Sequence, residues 1–311
     1  MAEQFALVFP GQGSQATGML SDLAAEYAVV KETFDQASAV LGYDLWSVVQ
    51  NNPDDQLNQT EYTQPALLAA SVAIYRCFVD TIAPPVMMAG HSLGEYSALV
   101  CAGAMDFTDA IKLVQLRGQA MQAAVPEGTG AMAAVIGLDD DAIAQACADA
   151  AQGDIVAPVN YNSPGQVVIA GQKDAVARAG EACKEAGAKR VLPLPVSVPS
   201  HCELMRPAAE TLQTALADVA IQTPAIPVLH NVDVSTAGAG EIAAKLVAQL
   251  HSPVRWTESM QAFAAAGIQR VYEIGPGKVL TGLSKRIDKA LVTSVVNDPA
   301  SVQQIIEEQA K

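Results

Sequence analysis

Apolar residues fall along this chain in short runs and in helical stripes. Phe5 to Phe9 is an unbroken apolar run that stops at Pro10, which reads as a buried strand. Leu20 to Val40 carries apolar residues at helical spacing. Residues 65–80 predict a second helix, apolar on most sides, with Pro65 in its first turn. Val86 to Ala89 predicts another buried strand, and a helical pattern begins after Gly94. Phe107 to Ala124 follows as a helix in which Leu113, Arg117 and Met121 share one face, with Gly118 leaving room for close approach by another element. The pattern changes after Pro126-Glu127-Gly128-Thr129-Gly130. Ala131 to Gly137 is strand-like, and Asp139 to Ala151 is an amphipathic helix opened by acids. Ile155 to Ala170 reads as two strands around Asn162-Ser163-Pro164-Gly165. Asp174 to Ala186 is a helix ended by Gly187, and Arg190 to Val196 is a strand. This β-α-β-β-α-β order suggests a small ferredoxin-like domain, residues 127–197, inserted in a larger α/β domain made of residues 1–126 and 198–311. Ile226 to Val234 and Val271 to Ile274 predict further strands of the larger domain.

Composition narrows the class. The 311 residues are 50% hydrophobic, enough for a large core, and the formal charge of −15 argues against nucleic acid and anionic membranes as partners. Cys77, Cys101, Cys147, Cys183 and Cys202 are scattered, an odd count that disfavours a disulfide framework and points to reduced thiols in the cytoplasm. The start Met1-Ala2-Glu3-Gln4 lacks the basic residues of a secretory signal. No apolar run approaches the ~20 residues that span a bilayer.

Candidate chemistry centres on Gly90-His91-Ser92-Leu93-Gly94, a G-x-S-x-G pattern between a strand and a helix. A serine on so sharp a turn is strained, so its neighbours must be small, and the helix start offers free N–H groups to an oxyanion. The plain alternative is a capping turn. Gly11-Gln12-Gly13-Ser14-Gln15-Ala16 also matches the dinucleotide pattern G-x-G-x-x-A, but a helix follows where that fold needs a second strand. Such a loop can equally complete an oxyanion hole with the N–H of Leu93. Of four histidines, His201, in a loop held by Pro199, is the best placed base, with a structural histidine as the other reading. His91 diverges from its neighbour on the sharp turn, His230 reads as a core residue, and His251 lies in a turn. Cys202 lacks a helix-N-terminal setting. Arg117 either snorkels to the surface, pairs with a structural carboxylate, or meets a substrate carboxylate. Lys278, Lys285, Arg286 and Lys289 concentrate positive charge on one late helix, by default a solvated face.

Taken in order, several stretches resemble the stand-alone bacterial malonyl-CoA:acyl carrier protein transacylases of type II fatty acid synthesis. They are Phe9-Pro10-Gly11-Gln12-Gly13-Ser14-Gln15, Thr63-Gln64-Pro65-Ala66, Gly90 to Ser97, the helix bearing Arg117, Asn162 to Gln166, Ser197-Val198-Pro199-Ser200-His201, and Glu273 to Gly277. The resemblance implies an α/β-hydrolase-like large domain with a central, mostly parallel sheet and an inserted ferredoxin-like domain. It implies Ser92 as nucleophile, His201 as base, and Gln249, in Ala248 to Pro253, as support near His201. Backbone N–H groups of Gln12 and Leu93 would form the oxyanion hole, Arg117 would hold the malonyl carboxylate, and Met121 and Ser200 would line the pocket. The family steadies its histidine with neutral groups. The carrier protein is acidic, which gives Lys285 and Arg286 a docking role. Malonyl-CoA is a substrate, and no metal, cofactor, nucleic acid or membrane is implied. Modular malonyl-selective domains often carry His-Ala-Phe-His at residues 198–201, so side activity on methylmalonyl-CoA stays open. A loading transferase of polyketide synthesis and a serine thioesterase are the rival enzymes, and a non-enzymatic carrier-protein scaffold is a third reading.

Overall fold

A computed structural model describes residues 4–196 and 198–310; Ser197, which opens the His201 motif, and the N-terminal Met1-Ala2-Glu3 lie outside them. The described residues form nine strands in two sheets: β1 (Phe5–Phe9), β2 (Met87–Gly90), β3 (Gly130–Ile136), β4 (Val156–Ser163), β5 (Gln166–Gln172), β6 (Arg190–Pro193), β7 (Val228–Leu229), β8 (Arg270–Ile274) and β9 (Val292–Val296).

The first sheet has the order β7-β2-β1-β8-β9, and every neighbouring pair is parallel. Its strands are apolar on both faces because both faces are covered. Phe5, Leu7 and Phe9 of β1 pack into one core, Ala6 and Val8 into another. The register sets Phe9 beside Gly90, so the loops after β1 and β2 leave the same edge side by side.

The second sheet has the order β4-β5-β3-β6 and is antiparallel throughout. The helices Asp140–Ala151 and Lys173–Glu185 give it the expected β-α-β-β-α-β order. Val135, Val167 and Ile169 meet those helices. Met132, Ala134 and Val168 face the other way and pack with Cys202. Strand β4 is stitched to the rest of the chain where Tyr161 N–H donates to Val254 O at 3.0 Å and Val254 N–H to Val159 O at 2.8 Å.

Four expectations need correction. The run from Leu20 is two helices, Ser21–Glu26 and Ala28–Leu41, because Tyr27 between them is extended. The helix expected over 65–80 is Thr60–Arg76, so Pro65 sits inside it rather than in the first turn. Ile226 to Val234 shrinks to the two residues of β7, because the chain turns at His230, which accepts from Val234 N–H. Strand β6 stops at Pro193 instead of Val196. The helices Ala239–Gln249 and Trp256–Ala265, unread in the pattern, carry the chain from β7 back to β8.

Candidate active site

Strand β2 runs into a turn at Ser92, and the helix Gly94–Cys101 starts two residues later. Ser92 has φ 53°, a left-handed value that costs a non-glycine residue on the order of 1 kcal/mol or more. The flanking glycines are sterically forced. A Cβ on Gly90 would lie 1.9 Å from Gly94 C, and one on Gly94 would lie 2.0 Å from Phe9 O. Asn231, just after β7, clamps the turn: its Oδ1 accepts from Ser92 N–H at 2.8 Å and its Nδ2 donates to Gly90 O at 2.7 Å.

His201 reaches this serine from the loop after β6. It too holds a left-handed backbone, φ 65°, fixed by its N–H donating to Leu250 O at 3.0 Å. Its Nε2 is 2.8 Å from Ser92 Oγ, and its Nδ1 is 2.7 Å from the main-chain oxygen of Gln249. A carbonyl can only accept, so Nδ1 carries the proton and Nε2 is free to take one from the serine. Burial, helped by the charge of Arg117, pushes His201 down to about 3, so its neutral form dominates at neutral pH.

Arg117 lies on the helix Phe107–Ala123, which Asp106 caps by accepting from Thr108 and Asp109 N–H. Gly118 next to it does allow close approach: a Cβ there would be 2.7 Å from Thr60 O. Arg117 is only 1% exposed, and among the described residues no carboxylate is hydrogen-bonded to its guanidinium. Its Nη1 donates to Gln64 Oε1 at 2.8 Å, and its Nη2 to Gln249 Oε1 at 3.0 Å and to Ser92 Oγ at 3.2 Å. Its Nε is buried and has no acceptor among the described residues. Burial lowers its pKa, while Tyr96 and Glu95 oppose the shift; an arginine stays charged through such a change. The result is a buried cation beside a serine hydroxyl with donor capacity to spare.

These groups open on one cavity of about 1160 Å³. Ser92, Leu93, Gln12, Arg117, Met121, Ser200 and His201 all line it. Leu93 is the N-cap of the elbow helix, and the N–H groups that follow it, of Gly94, Glu95 and Tyr96, donate to His91, Ser92 and Leu93 main-chain oxygens. Gln249 is not in the lining; it is fully buried behind Ser92 and His201. Lys285 and Arg286 are exposed on the helix Val279–Ile287 and do not line the cavity; Arg286 Nη1 donates to Gln166 Oε1. Carboxylates of Asp55, Glu61 and Glu127 stand in the lining instead. Cys202 is inert, its thiol pushed up to about 11 by burial and donating to Pro199 O at 3.2 Å. His91 turns away from Ser92, as expected of adjacent residues on a sharp turn, and its Nε2 lies 2.8 Å from Asn162 Oδ1 of β4.

Three site residues were missed in the sequence. Gln64 and Glu95 lie inside stretches singled out for resemblance, so their positions carried a signal and their roles did not. Asn231 carried none.

The acyl transferase domain model matches residues 6–307. The malonyl CoA-acyl carrier protein transacylase of Escherichia coli K12 is 61% identical over 306 residues, covering 98% of this chain and 99% of that one. The crystal structure of an acyl carrier protein S-malonyltransferase from Vibrio cholerae superposes with a TM-score of 0.96 at 64% identity, covering 97% of this chain and all of that one. A malonyl-transacylase in complex with its type II PKS acyl-carrier protein superposes at 0.97 with 58% identity, over 99% of this chain and all of that one.

Proposed function

The chain belongs to the acyl transferase domain family, and from that premise we infer that it transfers the malonyl group of malonyl-CoA to the phosphopantetheine thiol of acyl carrier protein, for fatty acid synthesis. The observation that carries the reading is the buried Arg117 guanidinium 3.2 Å from the hydroxyl that His201 is placed to deprotonate. A malonyl thioester has the two groups this arrangement calls for, a carbonyl to attack and a carboxylate for the guanidinium.

Ser92 Oγ attacks the thioester carbonyl as its proton passes to His201 Nε2. The oxygen–carbon bond forms, the carbon–sulfur bond breaks, and the imidazolium returns the proton to the departing coenzyme A thiolate. Backbone N–H groups of Gln12 and Leu93 hold the tetrahedral oxyanion, donors of a kind worth roughly 3 kcal/mol each. The carrier-protein thiol then gives its proton to His201 and attacks the malonyl-serine ester, and Ser92 leaves with that proton. Gln249 supports the base through its main-chain oxygen, and Met121 and Ser200 shape the pocket. The coenzyme A thioester is a substrate, and this scheme draws on no cofactor or metal.

The division into residues 1–126 with 198–311 and an insertion, residues 127–197, is supported by the separate antiparallel sheet. Its β4-β5-β3-β6 order favours a ferredoxin-like insertion, and the parallel sheet with its serine elbow favours an α/β-hydrolase-like large domain. Lys285 and Arg286 are proposed as a docking pair for the acidic carrier. Scattered free cysteines support a cytoplasmic site, and among the described residues no helix is long and apolar enough to cross a membrane.

The test is intact-protein mass after brief mixing with malonyl-CoA and no carrier protein. Wild type gains one malonyl group, Ser92→Ala gains none, and acetyl-CoA labels weakly. Rapid loss of malonyl-CoA without an adduct would replace the reading with a thioesterase.

A further inference from the structure

Among the described residues three charged side chains other than histidine are buried: Arg117, Glu95 and Glu273. Glu273 caps the helix Val279–Ile287, accepting from Leu280 N–H at 3.0 Å and Thr281 N–H at 2.7 Å. The transfer scheme uses Arg117. It has no use yet for Glu95, which lies on the elbow helix three residues beyond the nucleophile.

Glu95 is fully buried and gathers the groups that hold the site. Its Oε2 accepts from Asn231 N–H at 2.9 Å and from Gln249 Nε2 at 2.8 Å. Asn231 is the clamp on the serine turn. The other end of the same Gln249 carboxamide, Oε1, accepts from Arg117 Nη2 at 3.0 Å. One carboxamide therefore lies head to tail between a buried carboxylate and a buried guanidinium, with its dipole aligned to both charges. The main-chain oxygen of Gln249 meanwhile holds His201 Nδ1. Glu95 Oε1 takes the remaining neighbour, His230 Nδ1, at 2.7 Å. His230 Nε2 is buried and has no partner among the described residues.

We propose that Glu95 is the counter-charge of the active site, a positioning residue that balances Arg117 and the transient His201 imidazolium through Gln249 without occupying the face of Arg117 that the malonyl carboxylate needs. The proposal rests on the acyl-serine reading above. It explains how a guanidinium stays charged in a buried site while keeping donors open to a substrate. A direct salt bridge would balance the charge but block the ligand. It also predicts opposite effects on binding and chemistry. Without the Glu95 charge, Arg117 attracts the malonyl carboxylate more strongly, while the imidazolium formed in the transition state loses a nearby anion.

Glu95→Gln tests this. It keeps the shape and an oxygen for Asn231 and Gln249, and its NH2 can face His230 in the other tautomer. In single-turnover acylation we expect the apparent Kd for malonyl-CoA to fall several-fold and the acylation rate constant to fall roughly tenfold, with the Kd for acetyl-CoA unchanged. Unchanged or weakened malonyl-CoA binding overturns the proposal, whatever the rate does. A wild type that forms no acyl-serine at all overturns the acyl-serine reading instead. A second measurement then still decides the case of Glu95. Counter-charges removed together leave no lone buried charge, so the Glu95→Gln, Arg117→Gln double variant melts above Arg117→Gln alone. A double variant that melts at or below that single variant, or fails to fold, overturns the proposal.

Discussion

The two sheets of this molecule hold their functional residues in different ways. Around the parallel sheet the proposed catalytic pair sits on strained backbone: Ser92 at φ 53° after β2, and His201 at φ 65° docked against Leu250 and Gln249. In residues 130–193 the left-handed positions are glycines, apart from Gln152 at a helix C-cap, where that conformation is ordinary. The antiparallel sheet lends the cavity Met132 of β3 and Asn160 of β4, with Leu194 just past β6 beside them, and a polar strut from Asn162 to His91. At Ser92 and His201 the strain is held by hydrogen bonds to Asn231, Leu250 and Gln249, while the antiparallel sheet need only present a surface that fits.

The largest expected effect tests that contrast directly. Ser92→Ala removes the attacking atom and slows acylation by more than about 10⁴-fold while the protein stays folded. Met132→Ala, on the cavity wall, leaves the acylation rate within several-fold and raises KM instead. Rapid-quench acylation of both variants is the measurement, and a Met132→Ala rate as low as that of Ser92→Ala would break the contrast. Next in size is Arg117→Ala. An unpaired malonyl carboxylate in a buried site costs on the order of 2–5 kcal/mol, so malonyl acylation collapses while acetyl acylation gains in relative terms. Competition between the two acyl-CoAs reads the ratio. Equal losses on both would leave Arg117 a structural cation.

What was legible in the sequence follows the same division. The elbow could be read because strand, glycines, serine and helix are contiguous, and the steric demands at Gly90 and Gly94 are local. The β-α-β-β-α-β order could be read because turns and helix stops mark it. Gly118 announced a close approach, and the approach is there at Thr60. The network behind the elbow could not be read, because Glu95, Asn231 and Gln249 acquire their roles only when three distant segments meet. Gln249 shows the limit well. Resemblance put it near His201, yet the atom that meets the histidine is a main-chain oxygen, which any residue could supply, while the side chain's work is to span Arg117 and Glu95.

The pH response offers a subtler test of the strained half. His201 has its folded pKa pushed down to about 3 from an ordinary 6.5. Below pH 6.5 the unfolded chain takes up a proton that the folded site refuses, so stability drains as pH falls from about 6.5 toward 3. His201→Gln removes this contribution, and its melting temperature falls less between pH 7 and pH 4.5 than that of wild type. A wild-type slope identical to the variant's would mean the site takes its proton at an ordinary pH. Activity follows the same logic: the second-order acylation rate shows no limb near 6.5 and changes less than about twofold from pH 7 to pH 5.5.

The smallest effect concerns the surface. The cavity lining carries Asp55, Glu61 and Glu127, which would repel an acidic carrier protein, so its attraction would come from elsewhere. Lys285 and Arg286 are exposed on a helix that packs against β4, with Arg286 oriented by Gln166 at the seam between the sheets. Reversing both charges, Lys285→Glu with Arg286→Glu, raises the KM for carrier protein about three- to tenfold at low salt and leaves acylation by malonyl-CoA unchanged. Added salt shrinks the difference, since exposed charges are screened beyond ~10 Å at 0.1 M. Because neither residue lines the cavity, any slowing of acylation would show that the helix acts on the site through β4. A KM that stays flat with acylation intact would place the docking cations elsewhere on the molecule.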